Sequence, residues 1–152
     1  MNKWTYKGKE IDELPEGVAG FIYLITNLKN GKKYIGKKFS VMKTSKRVKT
    51  TTANAKKATR KVVTYKESTW KSYMGSSAIL KEEITKYGIE NFSREILIFG
   101  NTKGEVNFLE VFCQFKYNSL LDDTYYNNCI GSRDFIAFAN NEKLKKIVEN
   151  FK

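Results

Sequence analysis

Apolar and polar positions mark out a short series of elements along the chain. The run Phe21-Ile22-Tyr23-Leu24-Ile25 is aromatic and β-branched, Lys29-Asn30-Gly31 is a strong turn signal, and Tyr34-Ile35-Gly36 resumes an extended pattern. An antiparallel hairpin is expected, with Tyr23 and Tyr34 near its middle. Ser76-Ser77 then begins a helix in which Ile79, Leu80, Ile84 and Tyr87 recur at helical spacing until Gly88 stops it. Residues 91–99, with Phe92, Ile96, Leu97 and Ile98, read as a third strand. A second helix is expected from Gly104 to Lys116, with Val106, Leu109, Phe112 and Cys113 as its apolar stripe.

Between the hairpin and the first helix, residues 40–66 show no usable period. Their Lys, Thr, Ala, Val and Asn content fits a basic loop, a short helix with a mobile approach, or a segment that orders on nucleic acid. The expected division is a polar lead (1–17) closed by Pro15 and Gly17, one domain (18–130) carrying this insert, and a helical tail (131–152) broken near Asn140-Asn141. No internal repeat is present.

Composition narrows the chemistry. Among 152 residues there is no histidine, which excludes Ser-His-Asp and Cys-His nucleophile pairs and any imidazole base. Two cysteines, Cys113 and Cys129, cannot close a structural zinc site, so no zinc is expected. They read as reduced thiols of a cytoplasmic protein, because no window approaches the ~18 apolar residues of a membrane span. Hydrolysis would have to use Tyr, Lys, Arg, Asp or Glu with a hard, oxygen-seeking cation.

Charge changes the picture further. The formal net charge is +12, and residues 1–66 hold 17 basic against 4 acidic groups, whereas residues 67–152 hold 11 against 12. Residues 17–66 carry 14 Lys/Arg and no Asp or Glu. So one-sided a segment favours a polyanion, most simply DNA or RNA, over an anionic membrane, for which an amphipathic helix is missing.

The spacing of the hairpin motifs carries a resemblance. Phe21-Ile22-Tyr23 and Tyr34-Ile35-Gly36, with ten residues between them, together with Trp70-Lys-Ser-Tyr-Met-Gly-Ser-Ser77, Lys86-Tyr-Gly-Ile-Glu-Asn-Phe92 and Arg94-Glu-Ile-Leu97, resemble the GIY-YIG nuclease family. The branch they resemble is that of phage-borne and free-standing homing endonucleases. The resemblance implies a small α/β (α+β) domain, a three-stranded antiparallel sheet flanked by helices, that cuts DNA with one divalent cation, Mg²⁺ or alternatively Mn²⁺. It places the metal-binding carboxylate on the helix after the third strand. Glu110 fits that position better than Glu105, which sits in the first turn where a carboxylate favours the helix dipole.

By the same resemblance Tyr23 is the general base or water-positioner, Tyr34 orients the water or the scissile phosphate, and Lys37 touches the phosphate. Asn127, in Tyr126-Asn127, supports the site through hydrogen bonds. The chain departs from the family pattern in three places. Phe21 stands where the first motif has glycine; no histidine occurs near Gly75, leaving its role absent or to Tyr73 or Lys71; and the family's helical arginine has no clean match. Lys43, Lys46, Arg47 and Arg60 compete for that last position, with Arg47 preferred because a guanidinium grips phosphate bidentately. Lys38, Lys43, Lys46, Lys49, Lys56, Lys57, Arg60 and Lys61 are expected to hold DNA phosphates, which position a duplex without specifying its sequence. Two other readings stay open: a non-catalytic basic nucleic-acid-binding protein, and a restriction or repair nuclease of the same superfamily.

Overall fold

A computed structural model describes residues 2–50 and 58–131, together with positions 142 and 146, which are helical. The expected polar lead is strand. Trp4–Tyr6 forms β1 and Lys9–Ile11 forms β2, joined through Lys7 and Gly8, whose φ values of 50° and 76° are those of a tight hairpin turn. Further along the chain come β3 (Gly20–Asn27), β4 (Lys33–Phe39), β5 (Val41–Thr50) and β6 (Ala58–Glu67). They are followed by α1 (Ala78–Tyr87), β7 (Phe92–Gly100) and α2 (Lys103–Lys116).

The class is α+β, but the sheet is not the expected three-stranded antiparallel one. Five strands run in the order β2-β1-β7-β3-β4, and β1 lies parallel to β7 while the other neighbours are antiparallel. Three-residue strands are too short to show a period of two, which is why the extra pair was not apparent in the pattern.

The insert is also strand. β5 and β6 pair without interruption from Val41↔Glu67 to Thr50↔Ala58 as a separate two-stranded ribbon. Residues 51–57, including Lys56 and Lys57, lie outside the described residues, as do the side chain of Lys49 and residues 132–152 except positions 142 and 146.

β3 is the centre of the domain, and its alternating residues feed two cores. Phe21, Tyr23 and Ile25 pack with Trp4, Trp70, Leu80, Phe92 and Ile96 on one face, against α1. Ile22 packs with Ile35, Val106 and Cys113 on the other, against α2. Phe21, the departure from the family glycine, is fully buried with edge-on contacts to Trp4 (5.4 Å) and Trp70 (6.0 Å) between ring centroids.

Local signals bound both helices, those of α1 as expected and the Thr102 cap of α2 in addition. The Ser77 hydroxyl accepts from the Leu80 N–H, and Gly88 at φ 84° donates back to the Ile84 carbonyl. At α2 the Thr102 hydroxyl accepts from the Glu105 N–H, and the Glu105 carboxylate accepts from the Asn101 N–H at 2.8 Å. No helix among the described residues is long and apolar enough to cross a membrane.

Candidate active site

Register places the two tyrosines. Tyr23 lies opposite Gly36 and Ile25 opposite Tyr34, so Tyr23, Tyr34 and Gly36 share the α1 face of the sheet. The Tyr23 and Tyr34 ring centroids are 6.2 Å apart. Gly36 is what admits them: a Cβ there would lie 2.5 Å from the Tyr23 hydroxyl and 2.9 Å from the Tyr34 ring. Ile35 and Lys37 project to the opposite face, toward α2.

β4 is an edge strand, and an edge must be covered or paired. The segment after α2 does this. Lys33 donates to the Thr124 carbonyl (2.8 Å) and accepts from the Tyr126 N–H (2.7 Å), making a short parallel bridge at Tyr125. One step on, a side chain replaces the backbone. Asn127 Oδ1 accepts from the Ile35 N–H (2.9 Å) while its Nδ2 donates to the Ile35 carbonyl (2.8 Å). The carboxamide completes the ladder as another strand residue would. Tyr126 fastens the same segment to the hairpin, its hydroxyl accepting from Asn27 and Asn30 and donating to Glu83 at 3.0 Å.

Past Ile35 the edge gives onto a cavity of about 630 Å³. Tyr23 and Tyr34 enter it from one face of the sheet, Lys37 from the other, and Glu110 and Gln114 from α2, with Ser76, Ser77 and residues 127–129 closing the rim. Because residues of both faces line it, the cavity wraps around the strand edge. Glu110 is only 6% exposed, and its Oε2 accepts from Lys37 Nζ at 2.7 Å. A buried carboxylate needs such a cation to offset its lost hydration.

The two phenols have been stripped of water. Burial, with Tyr34, Tyr73 and Glu110 close by, raises Tyr23 well above its ordinary value of 10. Burial also pushes Tyr34 up to about 12, partly opposed by a hydrogen bond with Ser76. Both are therefore neutral hydrogen-bonding groups near pH 7. Tyr73, whose ring lies 5.8 Å from that of Tyr23 and 4.1 Å beneath the Lys38 ammonium, completes a tyrosine trio.

Of the expected site residues, Tyr23, Tyr34, Lys37, Glu110 and Asn127 come together in this cavity and Arg47 does not. Arg47 is on β5, opposite Lys61 and exposed, instead of on a helix beside the cavity. Glu105 is outside it too, engaged at the start of α2. Sequence reasoning did not reach Ser76, Gln114, Asn128 or Cys129 as cavity residues. Gln114 was within reach: it stands four residues after Glu110, on the same helix face. Ser76 and Ser77 registered only as a helix start, and Ser77 serves both purposes.

Paired tyrosines on a β-hairpin, a buried glutamate on the helix after the next strand, and an asparagine on the hairpin edge are arranged as the resemblance to GIY-YIG nuclease domains implies. A family model described as "Putative endonuclease segE, GIY-YIG domain" matches residues 4–130, and the chain belongs to that family. It is 35% identical over 112 residues to "Putative endonuclease segD" of Enterobacteria phage T4, a match that covers 74% of this chain and 38% of that protein. The chain thus spans well under half of that relative's length. No solved structure matches.

Proposed function

We propose that this chain is a divalent-metal-dependent endonuclease that hydrolyses phosphodiester bonds of DNA, of the free-standing homing or phage type. The observation that supports this most is Glu110. A protein that merely binds a polyanion has no use for a carboxylate in its cavity, since it repels phosphate until a cation bridges the two.

The donor set suits magnesium better than a metal caged by protein. Among the described residues no three Cys, Asp or Glu side chains converge on one point, and Glu110 is the carboxylate that lines the cavity. Magnesium commonly takes one or two carboxylates, several waters and phosphate oxygens from the substrate. When bound, such a cation supplies positive charge to the phosphate in the transition state and acidifies water.

The chain's own residues then have distinct tasks. Lys37, already at 2.7 Å from Glu110, stands ready to exchange that partner for a phosphate oxygen. Tyr34, neutral, donates its O–H to a phosphate oxygen or holds the attacking water in line. For Tyr23, the two expected roles separate: a phenol raised this far by burial is a poor base and a good water-positioner. Asn127 holds Ile35, between Tyr34 and Gly36, and so fixes the direction in which Tyr34 projects.

The test is cleavage of supercoiled plasmid with Mg²⁺ or Mn²⁺ at matched salt. Wild type cuts, Glu110→Gln binds without cutting, and Tyr23→Phe cuts ~10²-fold or more slowly, the scale of losing a positioned group. A wild-type protein that shifts DNA and never cuts it would sink the proposal. Normal cutting by Glu110→Gln together with loss in Glu105→Gln would move the carboxylate.

A further inference from the structure

The β5–β6 ribbon has an unusual combination of properties. Its described side chains, 41–48 and 60–67, are all exposed, so neither face has a core behind it. Six of them are Lys or Arg, namely Lys43, Lys46, Arg47, Arg60, Lys61 and Lys66, against one acid, Glu67 at the root. By register, Lys43, Arg47 and Lys61 share one face with Ser45, Val63 and Tyr65. Lys46, Arg60 and Lys66 share the other with Thr44, Val48 and Val62. Both faces thus mix cations with hydroxyls and bare apolar groups; Tyr65 is 63% exposed and Val48 49%. A surface that only neutralised phosphates would gain nothing from exposed valines.

We propose that this ribbon enters the major groove of duplex DNA and reads base sequence there. The proposal rests on the DNA reading given above and adds a specificity element to it. A two-stranded ribbon is among the few protein elements that fit a groove about 12 Å wide, and strands of this length span roughly 33 Å, about one turn of B-DNA. With both faces turned toward groove walls or base edges, a ribbon has no reason to keep one face apolar. Arginine pairs bidentately with guanine, threonine with either partner, and a valine packs on the thymine methyl. The deep, narrow major groove of duplex RNA would exclude it.

The root couples the ribbon to the cavity. β4 passes into β5 through Ser40, whose N–H donates to the Ala19 carbonyl at 2.9 Å and whose carbonyl accepts from the Ser68 N–H at 2.8 Å. A second hollow of about 410 Å³, lined by Lys37, Lys38, Lys43, Lys103 and Tyr73, lies between the two. Lys37 belongs to both hollows. A cationic path therefore leads from the Glu110 cavity to the base of the ribbon, along which one strand of a duplex can run.

The experiment uses this chain in EDTA, so that cleavage is not needed. Bound duplexes are selected from a random-sequence library, and guanine N7 methylation, which marks the major groove, is tested for interference. Wild type should select a motif, with binding lost on N7 methylation and unaffected by netropsin in the minor groove. Arg60→Ala should relax one motif position roughly ten-fold or more. Lys46→Ala, if it holds a phosphate, should lower the salt slope by about 0.9 at every sequence. Replacing Lys46, Arg47, Arg60 and Lys61 together by Ala should abolish the motif with an unchanged melting temperature, because no core is touched. Selection of no motif, a motif that survives the four-fold substitution, insensitivity to N7 methylation, or equal competition by duplex RNA would each overturn the proposal. The nuclease reading fails separately: a protein that selects a motif and never cuts keeps the ribbon proposal and loses that reading, while one that cuts without selecting does the reverse.

Discussion

Adding one methyl group at Gly36 should disable the site through a measurable clash. An alanine Cβ would stand 2.5 Å from the Tyr23 hydroxyl oxygen, 2.8 Å from Tyr23 Cζ and 2.9 Å from Tyr34 Cε1. Comfortable carbon contacts begin near 3.5 Å, so both rings must retreat by roughly 0.6–1 Å. Sideways, the Tyr23 ring has little room. It is 1% exposed and walled by Trp4 at 5.5 Å, Tyr73 at 5.8 Å and Phe21 at 6.3 Å between ring centroids. Overpacking of this kind costs about 1–3 kcal/mol, which for a domain of this size lowers the melting temperature by about 3–12 °C. A displacement near 1 Å also removes about two orders of magnitude of cleavage.

The cause is testable by a double-mutant cycle. Tyr23→Phe deletes the oxygen at 2.5 Å, and alone costs about 0.5–1.5 kcal/mol for the hydrogen bond with Tyr73. In the double variant part of the alanine clash disappears, so the two costs should fall short of additive by about 1 kcal/mol in urea unfolding. Gly104→Ala is the control. Its nearest neighbour would be Thr102 Oγ1 at 3.9 Å, in an open helical position where alanine is neutral or slightly stabilising. Strict additivity in the cycle, or a Gly36→Ala protein that melts with wild type, would refute the close-approach account.

Three further outcomes are expected. Asn127→Ala leaves the Ile35 N–H without its acceptor and should cost about 2–4 kcal/mol, with faster exchange of the Ile35 amide; unchanged exchange would dismiss the clamp. Arg94 is buried among the carbonyls of Asn2, Lys71 and Tyr73 and lies 4.7 Å over the Trp4 ring, so Arg94→Lys, which cannot reach all three, should destabilise by about 2–4 kcal/mol; wild-type melting would count against that role. Tyr34 has its folded value raised to about 12 from 10, so the unfolded chain gives up that proton first: stability is full below pH 10 and falls as pH rises toward 12, by about 2–3 kcal/mol from this group. Urea unfolding at pH 9 and pH 11 should show a smaller loss for Tyr34→Phe than for wild type, and equal losses would exclude the effect.

The elements that could be read from the pattern are those whose signals are local. The hairpin turn, the Ser77 cap, the Gly88 stop and the apolar run of β7 each lie within a few residues of what they determine. The ribbon escaped for a physical reason: alternation of apolar and polar residues records one buried face, and the described side chains of β5 and β6 are exposed on both. Only the Thr and Val content of residues 41–67 pointed to strand. Arg47 was misplaced along with it, because a helix was sought where the chain forms a ribbon. Asn128 and Cys129 reach the cavity through pairing of residues 124–127 with an edge strand some ninety residues earlier, a non-local event that no window of sequence records.

Glu110 is buried for a reason that its immediate neighbours in the chain do not supply. Apolar residues flank it at 108, 109, 111 and 112, yet Phe108 is 68% exposed and Phe112 50%. Burial on α2 follows the helical period instead: Val106, Glu110, Cys113 and Gln114, separated by four, three and one, form the inward face. The exposed phenylalanines stack on each other at 6.3 Å along a different line of the helix. A carboxylate on the inward face would be expelled or neutralised unless a cation met it, and Lys37 does so from the far strand. Lys37 is there because Tyr34 faces α1 and strand alternation sends the residue three places later toward α2. The same alternation that pairs the tyrosines on one face of the sheet therefore delivers the lysine to the glutamate on the other, and the cavity forms where the edge strand lets both faces meet.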